Sequence, residues 1–149
     1  MTRLAVLALL AAGCGAPATR PLAIGSDACS HCHMQLADLR YGAELVTGTG
    51  KVLPFDDAGC LATYVRSARV AASEVHSLWV SDYTRPDHLL PVEQAAFVRH
   101  PSFRTPMDHR IVALATAAAA DSLLAVLGGG GDRLDWSGVL RATAERNRQ

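Results

Sequence analysis

The chain has 149 residues, half of them hydrophobic and about a fifth charged, with Lys and Arg matching Asp and Glu at 14 each. That profile is globular and argues against disorder, and the zero net charge argues against a nucleic-acid partner. Three Phe, three Tyr and two Trp are too few to build stacking platforms for bases or sugars.

The N-terminus reads as an export signal. Arg3 supplies a positive charge, Leu4 to Ala12 is an unbroken apolar run, and small residues lead to Cys14. The run is far below the ~20 residues a spanning helix needs, so it predicts a signal peptide over residues 1–13 and not an anchor. A Cys directly after Ala11-Ala12-Gly13 resembles a bacterial lipobox, with Ala11 where Leu is usual. It predicts Cys14 as a lipidation site tethering an exported protein to a membrane facing the periplasm, the outer membrane being favoured in a Gram-negative host. Residues 14–26, rich in Ala, Pro, Gly and Thr, then read as a short flexible tether.

Next comes Cys29-Ser30-His31-Cys32-His33-Met34, two thiols, two imidazoles and a thioether in six residues of a chain with four Cys and three Met. Thiolate and thioether are soft ligands suited to Cu(I), Zn(II) and iron–sulfur clusters. The thioether discriminates, because Zn(II) sites use Cys, His and carboxylate. The stretch therefore points first at Cu(I), with a redox Cys-x-x-Cys or an inert structural disulfide between Cys29 and Cys32 as the rivals. If Cys14 is acylated, Cys29, Cys32 and Cys60 remain, an odd number for an oxidising compartment.

Tyr41 to Val46 and Lys51 to Phe55 flank a Thr-Gly-Thr-Gly turn and predict a hairpin, with Pro54 on an edge or at a strand end. Asp56 or Asp57 caps a helix whose apolar positions are Leu61, Tyr64, Val65 and Ala68, and which closes in Arg66 and Arg69. Cys60, early in that helix, reads as a buried structural residue. Val75 to Val80 is a strand, and Thr84-Arg85-Pro86-Asp87 a turn-type linker. A second block follows: a strand at Ala95 to Val98, a loop from Arg99 to Arg110, a strand at Ile111 to Leu114, a helix at Ala117 to Leu127, a short strand at Arg133 to Trp136 and a terminal helix. Both blocks read strand, strand, helix, strand. The expected fold is α+β, two small ββαβ units (about 27–83 and 88–136) packed into one cooperative globule, with 137–149 a C-terminal helix or tail. Met107, in the polar loop, is out of character as a core residue and is a candidate second soft ligand. His100 and His109 lack ligand spacing to another soft group.

Taken in order, Cys14, Cys29-x-x-Cys32-x-Met34, Phe55-Asp56-Asp57-x-Gly59-Cys60, Trp79-Val80-Ser81-Asp82, Ala95-Ala96-Phe97-Val98 and Thr105-Pro106-Met107 resemble the NosL family of bacterial lipoproteins, copper chaperones for nitrous oxide reductase. The resemblance covers about residues 27–127. It implies a fold of two ββαβ units and one Cu(I) bound by Cys and Met and passed to an acceptor metalloenzyme. Carried over by position, Cys32, Met34 and Met107 are the ligands, with Cys29 next. The family commonly has Gly between the second Cys and the Met; here His33 stands there, a further nitrogen donor or the mark of a different acceptor. No catalytic triad, carboxylate pair or phosphate loop points to an enzyme. The rival classes are a periplasmic thiol–disulfide protein using Cys29 and Cys32, and a structural envelope lipoprotein. A monomer or weak dimer is expected.

Overall fold

The structure, a computed structural model, describes residues 16–146; the signal-like segment, Cys14 and residues 147–149 lie outside the described residues. The elements are β1 (Ala43–Thr47), β2 (Val52–Phe55), α1 (Ala58–Arg66), a 3-10 turn (Ala72–Glu74), β3 (Val75–Asp82), β4 (Arg85–Pro91), β5 (Ala96–Arg99), β6 (Ile111–Leu114), α2 (Ala117–Val126), β7 (Asp132–Leu134) and α3 (Trp136–Arg146). The order strand, strand, helix, strand occurs twice, at β1-β2-α1-β3 and at β5-β6-α2-β7, as the sequence predicts.

One seven-stranded sheet runs in the order β2-β1-β3-β6-β5-β7, with β4 also paired to β3. β1 and β2 form the expected hairpin, Ala43 opposite Phe55 and Val46 opposite Val52. Pro54 is tolerated because β2 is an outermost strand. β3 joins the two units: it pairs antiparallel with β1, and its last residue, Asp82, bridges Arg85 of β4 and, in parallel, Ala113 of β6.

Three expectations change. The linker at residues 84–87 is instead the start of β4, hairpinned onto β3, with Val80 opposite Leu90 and Ser81 opposite Leu89. Its charges and prolines suit a strand held largely at the surface, where an unpaired N–H is not missed. Helix α1 ends earlier than its apolar spacing suggests. Ser67 donates back to the carbonyls of Thr63 and Tyr64, and Ala68 takes a left-handed φ of 50°, leaving Arg69 beyond the helix. The tether is shorter than expected, since Arg20 is held by a 2.7 Å ion pair to Asp27 and Leu22 packs on the core.

The main core draws on both blocks: Leu45, Phe55 and Leu61 from the first pack with Phe97 and Ile111 from the second and with Val139 from α3. Asp135 accepts the Gly138 N–H at 2.7 Å at the start of α3, which lies against α1. Among the described residues no helix is long and apolar enough to cross a membrane.

Candidate metal centre

The Cys29–Met34 stretch is a tight turn just before β1. Ala28 and Gln35 bridge antiparallel, the Cys29 N–H donates to the Met34 carbonyl at 2.8 Å, and the His33 N–H to the Cys29 carbonyl at 2.9 Å. Closing this loop drives His33 to φ 65°, in the left-handed region that glycine adopts at no cost. A second anchor is the Ser30 N–H, which donates to the Pro54 carbonyl at 2.8 Å and fixes the turn on β2.

Beneath the turn lies the start of α1. Asp57 is its N-cap, accepting the Cys60 N–H at 2.7 Å, which sets the Cys60 thiol facing the turn. The sulfurs of Cys29, Cys32 and Cys60 and a carboxylate oxygen of Asp56 all lie within 4.8 Å of one another. All three thiols are free. Cys29 and Cys60 are buried, at 1% and 0% exposure, while Cys32 is half-buried and donates to Asp56 Oδ2 at 3.2 Å. Asp56 is 1% exposed, and its other oxygen, Oδ1, has no hydrogen-bond partner.

The thiols share protons unequally. The Cys60 thiol beside it, with the N–H groups of Cys32, Asp56 and His31, overcomes burial and brings Cys29 down to about 6. Cys60, holding that shared proton in a buried place near two carboxylates, is pushed up. Burial pushes Cys32 up to about 12, against the Met34 N–H. Cys29 is thus the most acidic of the three thiols, and each of the three gives up its proton where it ligates a metal as thiolate.

Met107 reaches the same end of α1 from the Arg99–Arg110 loop. Its N–H donates to Asp57 Oδ2 at 3.3 Å, and His109 Nδ1 sits 2.9 Å from Asp57 Oδ1. Burial pushes the Asp57 carboxyl up, but His109 and the two N–H groups outweigh it and hold it below its usual range. Gly59 makes this possible, because a Cβ there would overlap the His109 ring. Asp108 and Arg110, at φ 56° and 60°, bend the loop around Met107, and the Thr105 hydroxyl accepts the Arg110 N–H at 3.0 Å.

Each expected metal-site residue now has a place. Cys29 and Cys32 converge. Met34, at 45% exposure, stands at the outer side of the turn beside exposed His33, and Met107 packs partly against the core that holds the thiols. Cys60 is buried as expected, but among the other thiols and not in inert packing. Sequence reasoning missed Asp56 and undervalued His109. The Asp-Asp-x-Gly-Cys string was the available signal, since a cap at Asp57 places residues 56 and 60 on either side of it.

Fold and site together define an α+β domain in which thiols from a surface turn and a helix start converge at a place fit for a soft metal. The NosL family model matches residues 21–139, and the chain belongs to the NosL family. The match extends beyond the expected 27–127 on both sides, into the held N-terminal segment and α3. In fold, the chain is similar to the crystal structure of the copper chaperone NosL from Shewanella denitrificans, at TM-score 0.69 and 18% identity, over 81% of this chain and 94% of that one. No curated protein matches the chain.

Proposed function

We propose that this protein is an extracytoplasmic copper carrier, anchored to the membrane through acylated Cys14, that binds one Cu(I) and hands it to an apo-metalloenzyme such as nitrous oxide reductase. The observation that carries this reading is the convergence within 4.8 Å of Cys29 and Cys32, from a turn that also bears Met34, with Cys60 beneath it. Membership of the NosL family and the likeness in fold to a copper chaperone support it.

In this reading Cys32, Met34 and Met107 hold the metal, with Cys29 next and His33 offering a nitrogen on the solvent side. A thiolate neutralises the cation, and thioethers add soft donors without adding charge. Cys32 is half-buried and Met34 exposed, so an acceptor's ligand can approach from outside and displace one donor at a time. Transfer needs no chemistry beyond ligand exchange, and the protein acts as a carrier and not as an enzyme.

Anaerobic Cu(I) titration against a chromophoric chelator, with Cys14→Ser in every sample, tests the reading. One equivalent should bind tightly, and Cys32→Ser and Met107→Leu should each weaken it by at least about tenfold, the order of effect of losing part of a metal's ligand set. A wild-type protein that cannot compete for Cu(I) sinks the proposal, and Met34→Leu separates it from a thiol–disulfide protein, which would tolerate that change.

A further inference from the structure

We infer that the side of the sheet facing away from α1 in the first block docks on a lipid bilayer, with the groove around Trp79 laid against the membrane that Cys14 tethers. Strand alternation separates the two faces of the sheet. Leu78 and Val80 of β3 pack in the core with Leu61 of α1, so Trp79 between them points to the other side. There it lines a groove of about 440 Å³ together with Leu22, Leu39, Pro86 and Leu89. This docking rests on the acylation of Cys14 proposed above.

In the second block this side of the sheet is covered by α2, whose Ala120 is buried with Val98 and Val112. In the first block, among the described residues, no helix covers it. Only the segment from Thr19 to Leu22 crosses there, with the Arg20 N–H on Glu44 and Leu22 against Gly42. Ile24, two residues beyond Leu22 and 56% exposed, and Val126 of α2, 84% exposed, are two of the three large apolar side chains left on the surface among the described residues.

The tether decides the occupant. Thr19 lies five residues beyond Cys14 and lines the groove, so the acylated sulfur stays within about 18 Å of it. Arg20 is held by Asp27 and Leu22 packs on the core, so the bilayer is brought to this side of the molecule and to no other. Over so short a tether, weak apolar contact is enough, because docking is then an intramolecular event. Trp is also the side chain suited to the boundary between headgroups and tails. The Trp79 Nε1–H donates to Ser77 Oγ at 2.8 Å, so the ring takes no unpaired donor into that boundary. Charge at the rim nearly cancels, with Arg20 paired to Asp27 and Asp87 exposed, and attraction to anionic headgroups therefore adds little.

Docked in this way, the bilayer lies across the sheet from α1. The start of that helix, with Cys60 and the two cysteines that converge on it, then faces away from the membrane, toward an incoming acceptor.

The test uses the acylated chain, its lipid confirmed by mass, in phosphatidylcholine vesicles with and without tail-brominated lipid. Trp136→Phe leaves Trp79 as the only fluorophore of its kind, and Trp79→Phe leaves Trp136, which packs on Phe97. Brominated tails should quench Trp79 at least about threefold more than Trp136, as expected of a ring at the membrane boundary against one held within the protein. Leu89→Asp, and Pro21→Asp at an exposed position of the rim, should each remove most of that difference while the chain still floats with the vesicles and melts as the parent does. Equal quenching of the two rings, or a difference that survives both Asp variants, overturns the inference with the anchor intact. Trp79 shielded only as protein density on the vesicle rises, without quenching by bromine, assigns the face to a second copy of the chain and overturns it too. A chain whose mass carries no lipid overturns the anchor and the docking together.

Discussion

Glu44 shows how one residue outside the thiol cluster can set a pH dependence. It sits in the middle of β1 at 0% exposure, opposite Trp79 and Pro54, with Oε1 unpartnered and Oε2 receiving only the Arg20 N–H at 3.4 Å. Burial pushes its carboxyl from 4.5 up to about 7, against that N–H and the Arg20 charge. The native state therefore binds more protons than the unfolded chain between those values. Stability is fully present below pH 4.5 and falls as pH rises toward 7. Glu44→Gln should abolish that slope and raise stability at neutral pH by about 1–3 kcal/mol, read by urea unfolding at pH 5 and pH 7.5. An unchanged slope would place the titration elsewhere. His33 carries the opposite lesson at this scale, a strained backbone held for the sake of the turn. Its neighbours Cys29, Cys32 and Met34 were legible from composition alone, but the φ of 65° that gives position 33 its meaning was not.

At the scale of elements, the site is a meeting of one helix start with two loops, and Asp57 is the joint. It caps α1, orders Cys60, receives the Met107 N–H and holds His109. Gly59→Ala puts a methyl group into the His109 ring, so the loop carrying Met107 has to move. We expect a loss of about 1–3 kcal/mol in stability, the usual cost of overpacking, together with weaker Cu(I) binding although Gly59 has no donor atom. Denaturation and chelator competition on the same preparation check both, and a variant unchanged in affinity would show that Met107 is not positioned through this joint. Most of these elements were readable: the β1–β2 hairpin from its Gly-rich turn, α1 from its cap, β3 from the apolar run around Trp79. β4 was not, because Thr84-Arg85-Pro86-Asp87 looks like a linker, and only pairing with β3 makes Arg85 onward a strand. Asp56 and Cys60 were hidden for a related reason. They stand 24 and 28 positions beyond Cys32, and their convergence depends on the hairpin that folds β2 back over β1.

For the whole molecule, the two ββαβ blocks share one sheet and one core, with β3 beside β6 and α3 beside α1. Phe97 from the second block and Val139 from α3 are fully buried with Leu45 and Phe55 from the first, so neither block keeps its core alone. Unfolding should be a single transition. Trp136→Phe leaves Trp79 to report the first block, and its fluorescence should change at the same urea concentration as far-UV ellipticity. Two separated transitions would mean that the halves fold independently. A rigid shared core also suits a carrier, because the Met107 loop and the Cys29–Met34 turn then keep a fixed separation while the metal comes and goes.

In the proposed carrier, Cu(I) is held by sulfur from that turn and that loop. X-ray absorption at the copper edge of the one-to-one complex, in the parent chain and in Cys32→Ser and Met107→Leu, tests it most directly. The expected spectrum is that of a low-coordinate shell dominated by sulfur, with at most one nitrogen from His33 and fewer sulfur scatterers in each variant. A shell made chiefly of nitrogen and oxygen, or one identical in all three proteins, would contradict it.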